Sequence, residues 1–166
     1  ADPSRYVFFA RSEPGEAPYA TQRLSVTSVG GQTTGASHNP PVSLSGRYVA
    51  FTSYDTAIAS GSTPPGVRQI YVRDIFSGTN TRISVTSPGS TGGNGTSDNA
   101  SVAVAVSSGM VVVAFDSFAT NLLAGDTEGQ RDTFLRVSAI GLTVRLSAGG
   151  NGASSKHHVA DDGSAV

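Results

Sequence analysis

Apolar positions in this chain fall into short blocks, such as Tyr6-Val7-Phe8-Phe9, Tyr48-Val49-Ala50-Phe51, Ile70-Tyr71-Val72 and Met110 through Phe115. The blocks are rich in β-branched and aromatic residues, and Gly, Pro, Ser and Asn separate them. That combination predicts strands joined by turns. No long segment carries the three-to-four spacing and the caps of an amphipathic helix. Alternation within the blocks is incomplete, as in strands whose sheet is covered on both faces.

The blocks repeat. Arg23-Leu24-Ser25 returns as Arg82-Ile83-Ser84 and as Arg145-Leu146-Ser147, at spacings of 59 and 63 residues. A Gly-x-Ser follows each: Gly35-Ala36-Ser37, Gly95-Thr96-Ser97 and Gly152-Ala153-Ser154. Tyr48 through Ser53 match Val112 through Ser117, Arg68 through Arg73 match Arg131 through Arg136, and Gly35 through Gly46 match Gly152 through Gly163. A long fixed period marks a repeat architecture. Strands are predicted near 40–44, 47–53, 68–75 and 80–86 in one repeat, and near 100–107, 110–116, 132–137 and 142–147 in the next. Ser45-Gly46, Ser108-Gly109 and the segment around Gly78 are predicted turns. Four antiparallel strands in a unit of about 60 residues make one blade of a β-propeller.

The fold class is therefore all-β. One domain, 1–166, is divided into a half blade (1–30), two blades (31–87 and 88–148) and the start of another (149–166). Tyr6-Val7-Phe8-Phe9 is assigned to a third strand and Arg23-Leu24-Ser25-Val26 to a fourth, because the gap between them is too short for two more. A ring needs about four to eight blades. The expectation is completion by a second chain, as in a homo-oligomer, or by further sequence. The opening Ala1-Asp2-Pro3 is expected to be a processed or trimmed start.

The phrases Ser45-Gly46-Arg47-Tyr48-Val49-Ala50-Phe51-Thr52-Ser53, Ile70-Tyr71-Val72-Arg73-Asp74, Ser77-Gly78 and Thr81-Arg82-Ile83-Ser84-Val85 resemble the TolB-type, WD40-like propeller repeat of bacteria. Asn121 through Thr127 is another phrase common in such repeats. The likeness covers nearly the whole chain and specifies the repeat more than any chemistry. It implies an exported scaffold that binds proteins, peptides or sugars, or that caps the catalytic domain of a peptidase. Val137 and Arg11 depart from the pattern, standing where one copy has Asp74.

Composition narrows the partners. Formal net charge is −1, and the 11 basic residues are dispersed, so no nucleic-acid or anionic-membrane footprint is present. No apolar run is long enough for a membrane-spanning helix, and with no cysteine there is no disulfide or thiolate metal site. A surface rich in Ser, Thr, Gly and Asn with a single lysine, Lys156, favours a secreted or periplasmic location.

Asp126, Glu128 and Asp132 flank Gly129 in one loop and form the candidate metal site, because hard cations such as calcium take carboxylate oxygens. The competing reading is a polar loop in which Asp caps a turn. His157-His158 with Asp161-Asp162 has metal-site residues, but neighbouring side chains on a strand face opposite ways. His38 is expected to be a solvated loop histidine. The repeated arginines, Arg5, Arg68 and Arg131, then Arg23, Arg82 and Arg145, then Arg73 and Arg136, either line a cationic rim or pair with Asp74, Asp116 and carbonyl groups. Phe51, Tyr71, Phe115 and Phe134 are assigned to blade packing, and Asn94 and Asn99 head glycosylation-type triplets.

No Gly-x-Ser-x-Gly elbow, phosphate-cradling loop or opposed carboxylate pair is recognisable. The expected function is a non-enzymatic binding or structural module with loops facing a protein or carbohydrate, in a lectin-like or envelope role. The alternatives are the propeller of a secreted hydrolase and an architectural part joined through blade edges.

Overall fold

Glycine turns follow the third strand of each four-stranded unit. Gly78 and Gly141, equivalent in the repeat, take φ of +70° and +67°, a region costly for residues with a Cβ. The structure is a computed structural model and describes residues 5–11, 20–105, 107–126, 129–147 and 158–160. β1 (Phe8–Arg11) pairs antiparallel with β2 (Ala20–Arg23). One four-stranded antiparallel sheet follows, in the order β3 (Ser37–His38), β4 (Tyr48–Ser53), β5 (Gln69–Asp74) and β6 (Asn80–Arg82). The other is β7 (Ser97–Val104), β8 (Val111–Ser117), β9 (Asp132–Val137) and β10 (Leu142–Arg145), again in sequence order. Among the described residues the sole helical piece is a 3-10 turn at Ser138–Ile140.

The sheets pack face to face. Val49, Phe51 and Tyr71 point back towards Val7 and Leu24 of the β1–β2 hairpin, with Ile58 between. Their neighbours Ala50, Ile70 and Val72, on the opposite face, join Ile83, Val102, Val111, Val113, Phe115 and Phe134 in a second cluster. Ala103, Val112 and Ala114 on the far side of the second sheet meet Val159. β8 is buried at every position. Alternation in polarity is incomplete because both pleat faces are interior, as in stacked propeller blades.

Both repeated motifs acquire a physical meaning. The serine of each Arg-(Leu/Ile)-Ser accepts the N–H that opens the facing strand: Val7 N–H to Ser25 Oγ at 3.2 Å, Ile70 N–H to Ser84 Oγ at 2.9 Å, and Thr133 N–H to Ser147 Oγ at 3.2 Å. The same contact thus recurs at Val7, Ile70 and Thr133. In Gly-x-Ser, Ser37 Oγ bonds Ser53 Oγ at 2.9 Å and Ser97 Oγ bonds Ser117 Oγ at 2.9 Å. The glycines let the backbone close on the loop after the second strand. A Cβ on Gly35 would lie 2.7 Å from Asp55 N, and one on Gly95 2.6 Å from Ala119 N.

The first strand of each sheet differs from expectation. It begins near Ser37 and Ser97, not near 40 and 100, and it is bulged. Asn39 and Asn99 both sit at φ +53°, and the β7–β8 register shifts between Asp98 and Ser101. One residue in the left-handed region is how a bulge re-aims a strand. In the earlier copy Pro40 and Pro41 supply no N–H, so the strand resumes only as the Val42–Val49 bridge and the Ala50 N–H to Pro41 carbonyl bond of 3.0 Å.

Gly95→Ala drives a Cβ into backbone that has no side chain to swing away. Urea unfolding is expected to show a loss of about 1–3 kcal/mol with an unchanged denaturant slope. Wild-type stability in this variant would refute the close-approach role.

Candidate ligand-binding loop face

β4 and β8 run towards one end of the sheets, so the loops that begin after them, at 54–68 and 118–126, lie there with the linkers 26–36 and 85–96. The tight turns lie at the opposite end. Loops on a rigid scaffold are where contacts to ligands concentrate. Two concavities open on this face.

The larger is a groove of about 490 Å³ bounded by Gln32, Thr34, Tyr54, Asp55, Thr56 and Pro65. Asp55 builds its wall. The carboxylate accepts N–H bonds from Thr34 at 2.9 Å, Gly35 at 3.0 Å and Ala57 at 2.8 Å, and the Tyr71 hydroxyl donates to the Asp55 carbonyl at 3.0 Å. Burial opposes ionisation of Asp55, but the backbone donors outweigh it and hold the carboxyl below its usual range.

The smaller is a cavity of about 70 Å³ lined by Arg68, Thr96, Asp98, Asp116, Phe118 and Arg131. Arg68, at the third strand of one sheet, reaches across to Asp98 of the next at 2.5 Å. Asp98 also accepts from Asn39 at 2.9 Å and Thr52 at 3.1 Å. Burial of Asp98 is again outweighed, by these donors, the Asn99 N–H and Arg68, and its pKa is lowered. Arg131 bonds Asp116 at 2.6 Å, and Thr133 and Asn99 also donate to that carboxylate at 3.0 and 3.1 Å.

Histidine 38 departs from expectation. It is a half-buried strand residue with Nε2 3.2 Å from Arg68 Nη1. Burial, aided by Arg68 and opposed by Asp98, holds its pKa below the usual value. The signal was in the sequence, since Gly35-x-Ser37-His38 aligns with Gly95-x-Ser97-Asp98.

The arginines are mostly committed to partners. Arg82 donates to the carbonyls of Ala59, Gly61 and Ser62, pinning the loop of its own sheet. Arg23 donates to the Ser25 and Thr33 carbonyls and stacks on Tyr6 at 3.6 Å. Arg73 and Arg136 are buried, and burial lowers the pKa of both. Asp74 pairs with Arg47 at 2.7 Å, an arginine outside the three repeated sets.

Asp126 and Asp132, two members of the calcium candidate, converge on Arg145 Nη1 at 3.3 and 3.6 Å, while Ser147 donates to Asp132 at 2.5 Å. A calcium ion between them must displace that guanidinium. Glu128, His157, Asp161 and Asp162 lie outside the described residues, and His158 is exposed. Among the described residues no three His, Cys, Asp or Glu side chains group around one point. Phe51, Tyr71, Phe115 and Phe134 are fully buried and stack in pairs at 5.9 and 5.8 Å. The side-chain nitrogens of Asn94 and Asn99 are bonded to Thr120 and Asp116.

Sequence reasoning missed Tyr54 and Phe118. They occupy the same place in successive repeats, directly after Phe-Thr-Ser and Phe-Asp-Ser, and each lines one concavity.

Comparison with known proteins bears on the fold. No protein-family model matches the chain, and no curated protein does. Among solved structures, the crystal structure of TolB from Acinetobacter baumannii is similar: TM-score 0.52, 14% sequence identity, covering 98% of this chain and 35% of that one. The chain thus shares a propeller-type fold with TolB and spans about a third of that chain's length. Among the described residues no helix is long and apolar enough to cross a membrane.

Asp55, Asp74 and Asp98 are all held below the unfolded carboxylate value, Asp74 at about 2, principally by Arg47. A depressed folded pKa contributes stability that is complete above the unfolded value of about 3.9 and is lost as pH falls through the folded one. Asp98→Asn is therefore expected to lose about 2 kcal/mol at pH 6, with the gap to wild type closing as the pH falls below about 3.9 and through the lowered Asp98 value. Urea titrations at pH 6, 4, 3 and 2 measure it; a gap independent of pH would contradict the assignment.

Proposed function

We propose that this chain is a non-enzymatic binding module of a secreted or cell-envelope protein, and that its loop face holds a protein or carbohydrate ligand. The observation that carries this reading is the state of the charges there. Asp55 is spent on backbone donors, and Asp98 and Asp116 on arginines. Both lowered carboxylates, Asp55 and Asp98, stay ionised near neutral pH, whereas a general acid needs a pKa near the working pH. The groove is left with hydroxyl, amide and ring contacts suited to holding a ligand. The dispersed charge and the resemblance to an exported repeat support an envelope setting.

The test is co-sedimentation with an isolated bacterial cell-envelope fraction. Wild type is expected to pellet with it, Thr56→Arg at the groove to stay in solution, and Ser108→Arg at the opposite end to behave as wild type. Turnover of generic ester, peptide or glycoside substrates would move the reading to the hydrolase alternative.

A second, architectural reading is favoured by one specific observation. Ile83 is fully buried against the following sheet, whereas its repeat equivalent Leu146 is 41% exposed, in line with exposed Leu142 and Val144. By that equivalence the partner is another sheet of the same repeat, here a second copy of the chain. Sedimentation is expected to show self-association that weakens in a Leu142→Thr, Val144→Thr variant, which restores the residues found at Thr79 and Thr81. A monodisperse monomer with cooperative unfolding would remove this reading.

A further inference from the structure

The two concavities share a wall. Tyr54 bounds the large groove, and its ring centroid lies 5.7 Å from the guanidinium carbon of Arg68. Arg68 in turn lines the small cavity, whose far side is Phe118 and Arg131. The groove, Tyr54, the Arg68–Asp98 pair, the cavity and Phe118 therefore form one strip crossing the junction between the two four-stranded sheets. Phe118 is 49% exposed, although its predecessor Ser117 and the nearby Ala119 are buried.

We infer that this strip is the track for a neutral oligosaccharide, with Tyr54 and Phe118 as two stacking positions one repeat apart. The inference rests on the binding-module reading above and names its ligand class. Three features select a sugar. A ring that is not fully buried offers a flat apolar face with a negative quadrupole, matched to the C–H face of a pyranose. Sugar hydroxyls both donate and accept, and the strip presents both functions: guanidinium donors on Arg68 and Arg131, and hydroxyls, which do both, on Thr34, Thr56 and Thr96. The two guanidiniums are held by Asp98 and Asp116, so little of their ordering is left to oppose binding. The groove volume falls within the range of about 300–1,000 Å³ typical of small-molecule sites.

Charge argues for a neutral ligand. Arg68 and Arg131 are each neutralised by an aspartate, so an anionic sugar gains no net attraction and disturbs pairs already made. An extended peptide is disfavoured as well, because peptides gain affinity by adding to a free strand edge, and this strip runs across loops and inward-facing strand ends.

The two repeats are not copies of each other. At the second position Asn94 closes the equivalent of the large groove, donating to Thr120 Oγ1 at 2.9 Å and accepting from Thr120 N–H at 2.8 Å. At the first position Thr34 stands in its place, and the groove is open. The track is therefore deep at Tyr54 and shallow at Phe118, which gives the oligosaccharide a direction.

The test is a neutral-glycan array followed by calorimetric titration of one hit as a series from mono- to tetrasaccharide. Affinity is expected to rise with length and then level off. Tyr54→Ala and Phe118→Ala are each expected to weaken the longer ligand about tenfold, corresponding to about 1.4 kcal/mol, and Tyr54→Ala alone to abolish monosaccharide binding. Both rings lie outside the buried clusters, and unchanged melting temperatures check that the variants fold. Absence of any neutral-glycan hit overturns the inference, as does a hit indifferent to both substitutions. Envelope co-sedimentation that persists without a glycan hit, and is lost in Tyr54→Ala, overturns the sugar while leaving the loop-face reading standing.

Discussion

Burying both faces of every central strand is the constraint on which the rest of this molecule depends. Ala50 and Phe51 are adjacent in sequence and both fully buried, yet they belong to different hydrophobic clusters on opposite sides of one sheet. Val112 and Val113 divide in the same way. Burial of a side chain of this size is worth about 1.5–3 kcal/mol, but only when a neighbouring sheet supplies the other half of the contact. No sheet here is a folding unit by itself, and stability is set by stacking between nearest neighbours, as in other repeat proteins.

Such a stack needs its spacing fixed, and small polar residues fix it. The serine of the Arg-(Leu/Ile)-Ser triplet satisfies an N–H that would otherwise be left where two strands diverge. Its arginine draws in nearby loop or linker groups: carbonyls for Arg23 and Arg82, carboxylates for Arg145. The branched residue between them enters the core at Leu24 and Ile83. Three consecutive residues thus serve loop, interface and strand. Replacing any one leaves a different defect, which explains why the triplet returns as a unit while the loops around it vary in length and content.

The strand order, the turns and the both-faced burial were legible because each follows from short-range chemistry: β-branched blocks, glycine at positive φ, and a repeated period. The bulge at Asn39 and Asn99 was not, because asparagine in a Ser/Asn-rich segment reads as loop until the partner strand shows that pairing resumes beyond it. The candidate site was less legible than the fold. Arg68 and Asp98 are 30 residues apart and on different sheets, so no local pattern joins them. Tyr54 and Phe118 were hidden for another reason. They follow strand residues repeated within the chain and pass for the last residue of a buried strand, and only position relative to the loops distinguishes them from Phe51 and Phe115.

The same stacking accounts for where the polar chemistry sits. Aspartates and arginines cannot be accommodated between the sheets without partners, because an unpaired buried charge is costly. The pairs Arg47–Asp74, Arg68–Asp98 and Arg131–Asp116 sit at strand ends, and where one sheet's third strand comes beside the next sheet's first, Arg68 meets Asp98 across the junction. The pair is not simply repeated: the equivalent of Asp98 in the earlier copy is His38, and Arg131, the equivalent of Arg68, pairs with Asp116 of its own sheet. Variation between repeats is then free to act on the residues beside the pairs. Thr34 against Asn94, and Tyr54 against Phe118, are such changes. They alter the depth and chemistry of the surface while Arg68 and Asp98 tie one sheet to the next. A repeat that locks its own charges in this way can diversify its rim without loosening its core.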